Sequence, residues 1–226
     1  MVTTYRKNDI ENKMNHMHIR PLDIMVTGVT GAGKSTTLNA LFGDSVATVG
    51  NGVDPETMEL DSYNLHDYAR IWDTPGLGDG IAQDKKHSKK IIELLHKTYT
   101  VDEKDFGWID LVLVIIEGTN RDMGTTYTLI NDVLLPHIQE DRVLVAINQA
   151  DIAMKGRYWD RTLCRPKPEL KEFLDNQALS IQRRVKEATN LIIPTPIYYS
   201  AEYNYNMRAL MDLIIDNIPQ TKRSFK

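Results

Sequence analysis

The chain has 226 residues, 42% hydrophobic and 26% charged, which suits one ordinary globular core. Its formal net charge of -4 argues against generic DNA or RNA binding, although Arg183, Arg184 and Lys186 form a local basic run. One cysteine, Cys164, excludes an internal disulfide, and the longest apolar run, LVLVII at 111–116, is far short of the ~20 residues that span a bilayer. With no apolar signal core near residue 1, these features predict a cytoplasmic protein.

Residues 1–20 are polar and rich in Met, Asn and His, which predicts a flexible N-terminal arm. LDIMVTG at 22–28 is a short apolar run ending in glycine, a buried strand feeding a turn. GKSTTLNALFG then predicts a helix closing at Gly43. Residues 57–73 alternate apolar and polar side chains around Asn64, the pattern of two antiparallel strands. KKHSKKIIELLHK is helical, WIDLVLVIIEG a strand buried on both faces, TTYTLINDVLLPHI a helix stopped near Pro136, and RVLVAIN another buried strand.

The pattern loosens over 152–168. Leu170, Leu174, Ala178, Ile181, Val185 and Ala188 then form one apolar stripe of a long helix. IPTPIYYS predicts the last strand and NMRALMDLIIDNI the closing helix. Alternating strands and helices imply an α/β fold: a doubly wound, mostly parallel six-stranded sheet with one antiparallel edge strand. One domain is expected over 21–219, with 152–190 as an inserted loop plus long helix and 220–226 as a tail.

GVTGAGKST at 28–36 carries the chemistry. Gly28, Gly33, Lys34 and Ser35 satisfy G-x-x-x-x-G-K-[ST] between a strand and a helix. Such a loop turns the backbone N–H groups of Thr30, Gly31, Ala32, Gly33, Lys34, Ser35 and Thr36 toward phosphate oxygens, helped by the positive end of the helix. Lys34 can reach the β- and γ-phosphates, and the Ser35 hydroxyl can ligate Mg²⁺. In WDTPG, Asp73 can hold Mg²⁺ directly or through water, and the Gly76 N–H can meet a γ-phosphate. In INQAD, Asp151 can accept two hydrogen bonds from the N1–H and N2–H₂ edge of guanine, which adenine lacks, while Asn148 braces the loop. In SAE, Ser200, Ala201 and Glu202 lie at the next strand end, where the Ala201 N–H can face guanine O6.

In this order, GVTGAGKSTTLNALFG, DTPGLGDG, NQAD and SAE give the chain a resemblance to the Ras-like P-loop GTPase superfamily, over roughly residues 22–219. It looks most like Era-like bacterial GTPases of the TrmE–Era–septin type, a group that includes septins, immunity-associated GTPases and ribosome-binding GTPases. The resemblance implies GTP and GDP as ligands with Mg²⁺, and slow GTP hydrolysis used as a nucleotide-state switch. It also implies a switch threonine that closes onto Mg²⁺ and γ-phosphate: Thr57, with Thr48 as runner-up. A septin-like nucleotide-gated self-assembly module is the alternative reading. A nucleotide-dependent homodimer, the ribosome and a membrane surface are the partner classes it leaves open.

Three positions depart from the family pattern. Gln149 stands where lysine is usual. Gly31 stands where potassium-activated Era-like enzymes carry asparagine. Leu77 follows Gly76, where Ras-type proteins place the glutamine that orients water. Elsewhere, His16 and His18 are expected to be inert, His87 to be a solvated helix residue and Cys164 incidental. The segment 152–168 reads as a partner-facing insert or as a lid over the base.

Overall fold

The computed structural model describes residues 5–17, 21–42, 62–66, 69–119 and 123–224. Helix α1 (Lys7–Met17) precedes strand β1 (Leu22–Gly28) and helix α2 (Lys34–Phe42). Strands β2 (Ser62–His66) and β3 (Ala69–Asp73) lead into helix α3 (Ile81–Leu95), a hairpin of β4 (Thr98–Val101) and β5 (Lys104–Gly107), and strand β6 (Leu111–Glu117). A short α4 (Gly124–Thr128) runs into a π-helical turn over Leu129–Leu134, then β7 (Val143–Asn148). A two-residue ribbon, β8 (Trp159–Asp160) with β9 (Arg165–Pro166), precedes α5 (Pro168–Thr189), β10 (Ile197–Tyr198) and α6 (Met207–Asp216).

The main sheet has six strands in the order β10-β7-β6-β1-β3-β2. All pairs are parallel except β2 with β3, so the antiparallel strand lies at the edge as expected. β1 and β7 are buried at every residue, which is why they read as continuous apolar runs. Helices cover both faces: α1, α2 and α6 pack on one, and α3, the π-helical turn and α5 on the other. The stripe on α5 buries Leu170, Leu174, Ala178, Ile181 and Val185, whereas Ala188 is exposed. Among the described residues no helix is long and apolar enough to cross a membrane.

Both chain ends correct the sequence expectation. Residues 5–17 are docked rather than loose: Ile10 and Met14 are buried in the core on the α6 side. Arg6 pairs with Asp212 and Asp216, and Lys13 Nζ donates to Ile215 O at 2.7 Å, a cation at a helix C-terminus. Two apolar side chains four apart, with these polar contacts, seat a segment whose composition is polar. The tail is built in as well, through Ser224. Arg223 is 1% exposed and donates to the carbonyls of His137 and Leu95, while Gly107 N donates to Arg223 O at 2.8 Å.

Arg223 belongs to a buried charge cluster at the N-terminal ends of the strands. Asp23 accepts both Arg70 Nε and Nη2, at 2.8 and 2.9 Å, and Trp72 Nε1 at 2.7 Å. Asp110 accepts the Asp23 N–H at 3.0 Å. Burial pushes the Asp110 carboxyl up to about 7, against the pull of Arg142 and Arg223. An unfolded aspartate gives up its proton near pH ~4. Between about pH 4 and 7 this carboxyl therefore holds more proton in the native state than in the unfolded chain, and its contribution to stability falls as pH rises. Thermal melts from pH 4.5 to 8 should show wild type losing stability across this range relative to Asp110→Asn, whose amide still accepts the Asp23 N–H but cannot ionise. Parallel pH curves for the two proteins would refute this role.

Candidate functional site

The phosphate loop leaves β1 at its C-terminal end, next to the C-terminal ends of β3 and β6, where ligands of open α/β sheets bind. Gly33 has φ 79, a left-handed conformation open to glycine, and Asn148 Nδ2 packs where a Cβ would stand. Thr37 Oγ1 donates to Gly33 O and meets the Tyr199 hydroxyl, each at 2.8 Å, fixing the first turn of α2. Lys34 Nζ donates to Val29 O at 3.1 Å. Burial lowers its pKa, while Asp73 and Asp79 raise it. Thr30, Gly31, Lys34, Ser35, Asp73, Gly76, His87 and Lys90 line one cavity of about 410 Å³.

Ser35 Oγ and Asp73 Oδ2 are 3.5 Å apart in that cavity. Among the described residues no three His, Cys, Asp or Glu side chains gather into a metal cage. A hydroxyl beside a carboxylate is what Mg²⁺ needs when phosphate oxygens and water complete its shell, so the donor set fits. Thr57 and Thr48 lie outside the described residues.

The loop after β3 is zipped onto the phosphate loop. Leu77 N donates to Gly28 O at 3.2 Å, Thr30 N to Leu77 O at 2.8 Å, and Thr30 Oγ1 to Asp79 Oδ2 at 2.8 Å. A Cβ on Gly76 would stand 2.6 Å from Thr30 N, so only glycine permits this approach. Leu77 is 2% exposed.

On the base side, Asn148 is buried and bridges two loops. Its Nδ2 donates to Ala32 O at 3.0 Å, and its Oδ1 accepts the Ala201 N–H at 3.1 Å. This corrects the expectation of an Ala201 N–H open to guanine O6: a buried amide takes the nearest acceptor. Gln149 adopts φ 62 and donates Nε2 to Gly31 O at 2.9 Å, so the residue in the usual lysine position grips the phosphate loop. Ser200 is buried and Glu202 exposed. Asp151 Oδ1 is buried without a hydrogen-bond partner among the described residues. Such an acceptor costs free energy unless a ligand donates to it.

The 152–168 segment folds against the base-side loop rather than standing clear of it. Trp159 is 8% exposed and packs on Tyr203 and Tyr205, with ring centroids 5.4 and 5.5 Å away.

Residues 23–151 match the sequence family described as 50S ribosome-binding GTPase. The chain belongs to this GTPase family. It is 26% identical over 155 residues to tRNA modification GTPase MnmE of Chlorobium phaeovibrioides, covering 68% of the chain and 29% of that protein. It is 37% identical over 90 residues to Septin-8-B of Xenopus laevis, covering 36% of the chain and 21% of that protein. The chain thus spans less than a third of either relative. Its fold is shared with Toc33 from Arabidopsis thaliana, solved in complex with GDP and Mg²⁺, at a TM-score of 0.64 and 15% identity over 99% of this chain and 96% of that one.

For a GTPase, the residue that sequence reasoning set aside is His87. Its Nδ1 stands 2.6 Å from Gly76 O. The signal was in the sequence: His87 falls on the stripe Asp84, His87, Ile91, Leu94, at spacings of three, four and three, whose last two members are core residues.

Proposed function

We propose that this GTPase is a Mg²⁺-dependent guanine-nucleotide switch of the cytoplasm with slow intrinsic GTP hydrolysis. Leu77 carries the reading. Its backbone joins the switch loop to the phosphate loop, so that occupancy of one is felt in the other. Its side chain is buried and apolar at the position where a water-orienting group is needed, and has neither donor nor acceptor.

The remaining roles follow from the site. Lys34 and the amides of residues 31 and 33–36 neutralise phosphate charge; the Thr30 and Ala32 N–H groups, also expected there, are taken by Leu77 O and Val29 O. Ser35 and Asp73, with Thr57 as the proposed third group, would hold Mg²⁺, which would supply positive charge to the β- and γ-phosphates. Gly76 donates its N–H to the γ-phosphate. Asp151 takes the guanine edge, Asn148 and Gln149 tie the base loop to the phosphate loop, and Ser200, Ala201 and Glu202 shape its far wall.

Single-turnover GTP hydrolysis across a protein dilution series tests the chemistry. The dilute protein should turn over near the intrinsic Ras rate, on the order of 10⁻⁴–10⁻³ s⁻¹. A rate near ~1 s⁻¹ that ignores dilution would mean one chain holds a complete catalytic set, and the reading fails. A rate that climbs with concentration identifies a second copy as the source of the missing group. Pull-down with the GTP-locked form then separates ribosomal, membrane-surface and self-assembly partners.

A further inference from the structure

Helix α3 reaches back onto the switch loop at two points. Asp84 Oδ1 accepts the N–H groups of Gly78 and Asp79, at 2.8 and 3.1 Å. One turn further on, His87 Nδ1 meets Gly76 O. A carbonyl oxygen only accepts, so the ring proton sits on Nδ1. Nε2 is then an acceptor, and the Gln83 amide nitrogen stands 2.9 Å from it as donor. Both contacts of the ring agree on one tautomer.

The importance of the bond lies in the peptide it holds. The Gly76–Leu77 peptide has its carbonyl on His87 and its N–H on Gly28 O. It is fixed at both ends, by α3 on one side and the phosphate loop on the other. Gly76 can then aim its own N–H only through its own φ and ψ, against a following peptide that is held still. The whole loop is meanwhile held down over the phosphate loop by the Thr30 contacts, and His87 lines the same cavity as Lys34, Ser35 and Asp73.

We propose that His87 is a positioning residue for GTP: its Nδ1–H presets Gly76 to meet the γ-phosphate and ties γ-phosphate occupancy to helix α3. This rests on the nucleotide-switch reading above. Its consequence is selective, because GDP lacks the phosphate that Gly76 would serve.

The test compares binding of GDP and of a non-hydrolysable GTP analogue, each with Mg²⁺, by calorimetry. In His87→Ala the analogue should bind about five- to tenfold more weakly, the worth of one hydrogen bond, with GDP within about twofold of wild type. His87→Asn can place an amide N–H near where Nδ1–H stands and should restore the wild-type ratio. His87→Gln carries its amide one bond further out and should not. Equal losses for both nucleotides, no loss at all, tighter analogue binding, or equal rescue by Asn and Gln would each overturn the proposal. The latch is also read without nucleotide: long-range ¹⁵N–¹H spectra of the free protein should put the His87 proton on Nδ1, and a proton on Nε2 alone sinks it. A wild type that binds neither nucleotide defeats the switch reading, while the tautomer measurement still decides the latch.

Discussion

Asp151→Asn should exchange guanine selectivity for xanthine selectivity. Guanine presents two donors side by side, N1–H and N2–H₂, and a carboxylate accepts both. Each hydrogen bond to a charged acceptor is worth about 1.5–3 kcal/mol, so losing the match should weaken GDP binding on the order of 10²–10³-fold. Xanthine keeps N1–H but replaces the exocyclic amine with a carbonyl. An asparagine side chain offers one acceptor and one donor, which is the complementary pair, so xanthosine diphosphate should bind the variant better than GDP. The buried, unpartnered Asp151 Oδ1 is why a large effect is expected: nothing among the described residues takes the ligand's place. Competition calorimetry with GDP, xanthosine diphosphate and ADP measures this. Equal affinity of wild type for ADP and GDP would end the guanine assignment.

The parts of this protein that were legible in its sequence are those held by local chemistry. The glycine loop before α2, the two-face-buried β1, β6 and β7, and the α5 stripe each follow from residue type and spacing within about twenty positions. Base-side contacts were legible only by type. That Asn148 joins Ala32 to Ala201 depends on β1, β7 and β10 ending together, which spacing alone does not fix. The docked α1 was missed because Ile10 and Met14 are too few to shift an average over a polar segment. The tail was missed because a buried arginine gives no apolar signal at all: Arg223 is held by carbonyls of residues 95 and 137, contacts that exist only in the folded chain. The π-helical turn after α4 interrupts what periodicity reads as one helix, and no residue there marks it.

Replacing Lys34 should cost the most of any single substitution here. The ammonium group shares its cavity with Asp73 and Asp79; burial opposes its charged form, while both carboxylates favour it. Removing the charge does more than delete one phosphate contact. It leaves two carboxylates beside the place where a nucleotide brings further negative charge, in a cavity partly shielded from water, where repulsion is stronger than in bulk solvent. Lys34→Met keeps most of the apolar stem and so separates charge from packing. It should bind GDP at least ~10²-fold more weakly than wild type, and the GTP analogue more weakly still, because the lysine serves the β- and γ-phosphates together. Lys34→Arg should not rescue, since a planar fork does not fit where a compact point charge donates to Val29 O. Thermal melts without nucleotide guard against misfolding, and with the stem retained they should stay close to wild type. Calorimetry decides the matter: a Lys34→Met protein that binds GDP within about fivefold of wild type would show that the backbone amides alone hold the phosphates, and that Lys34 is a structural contact to the loop.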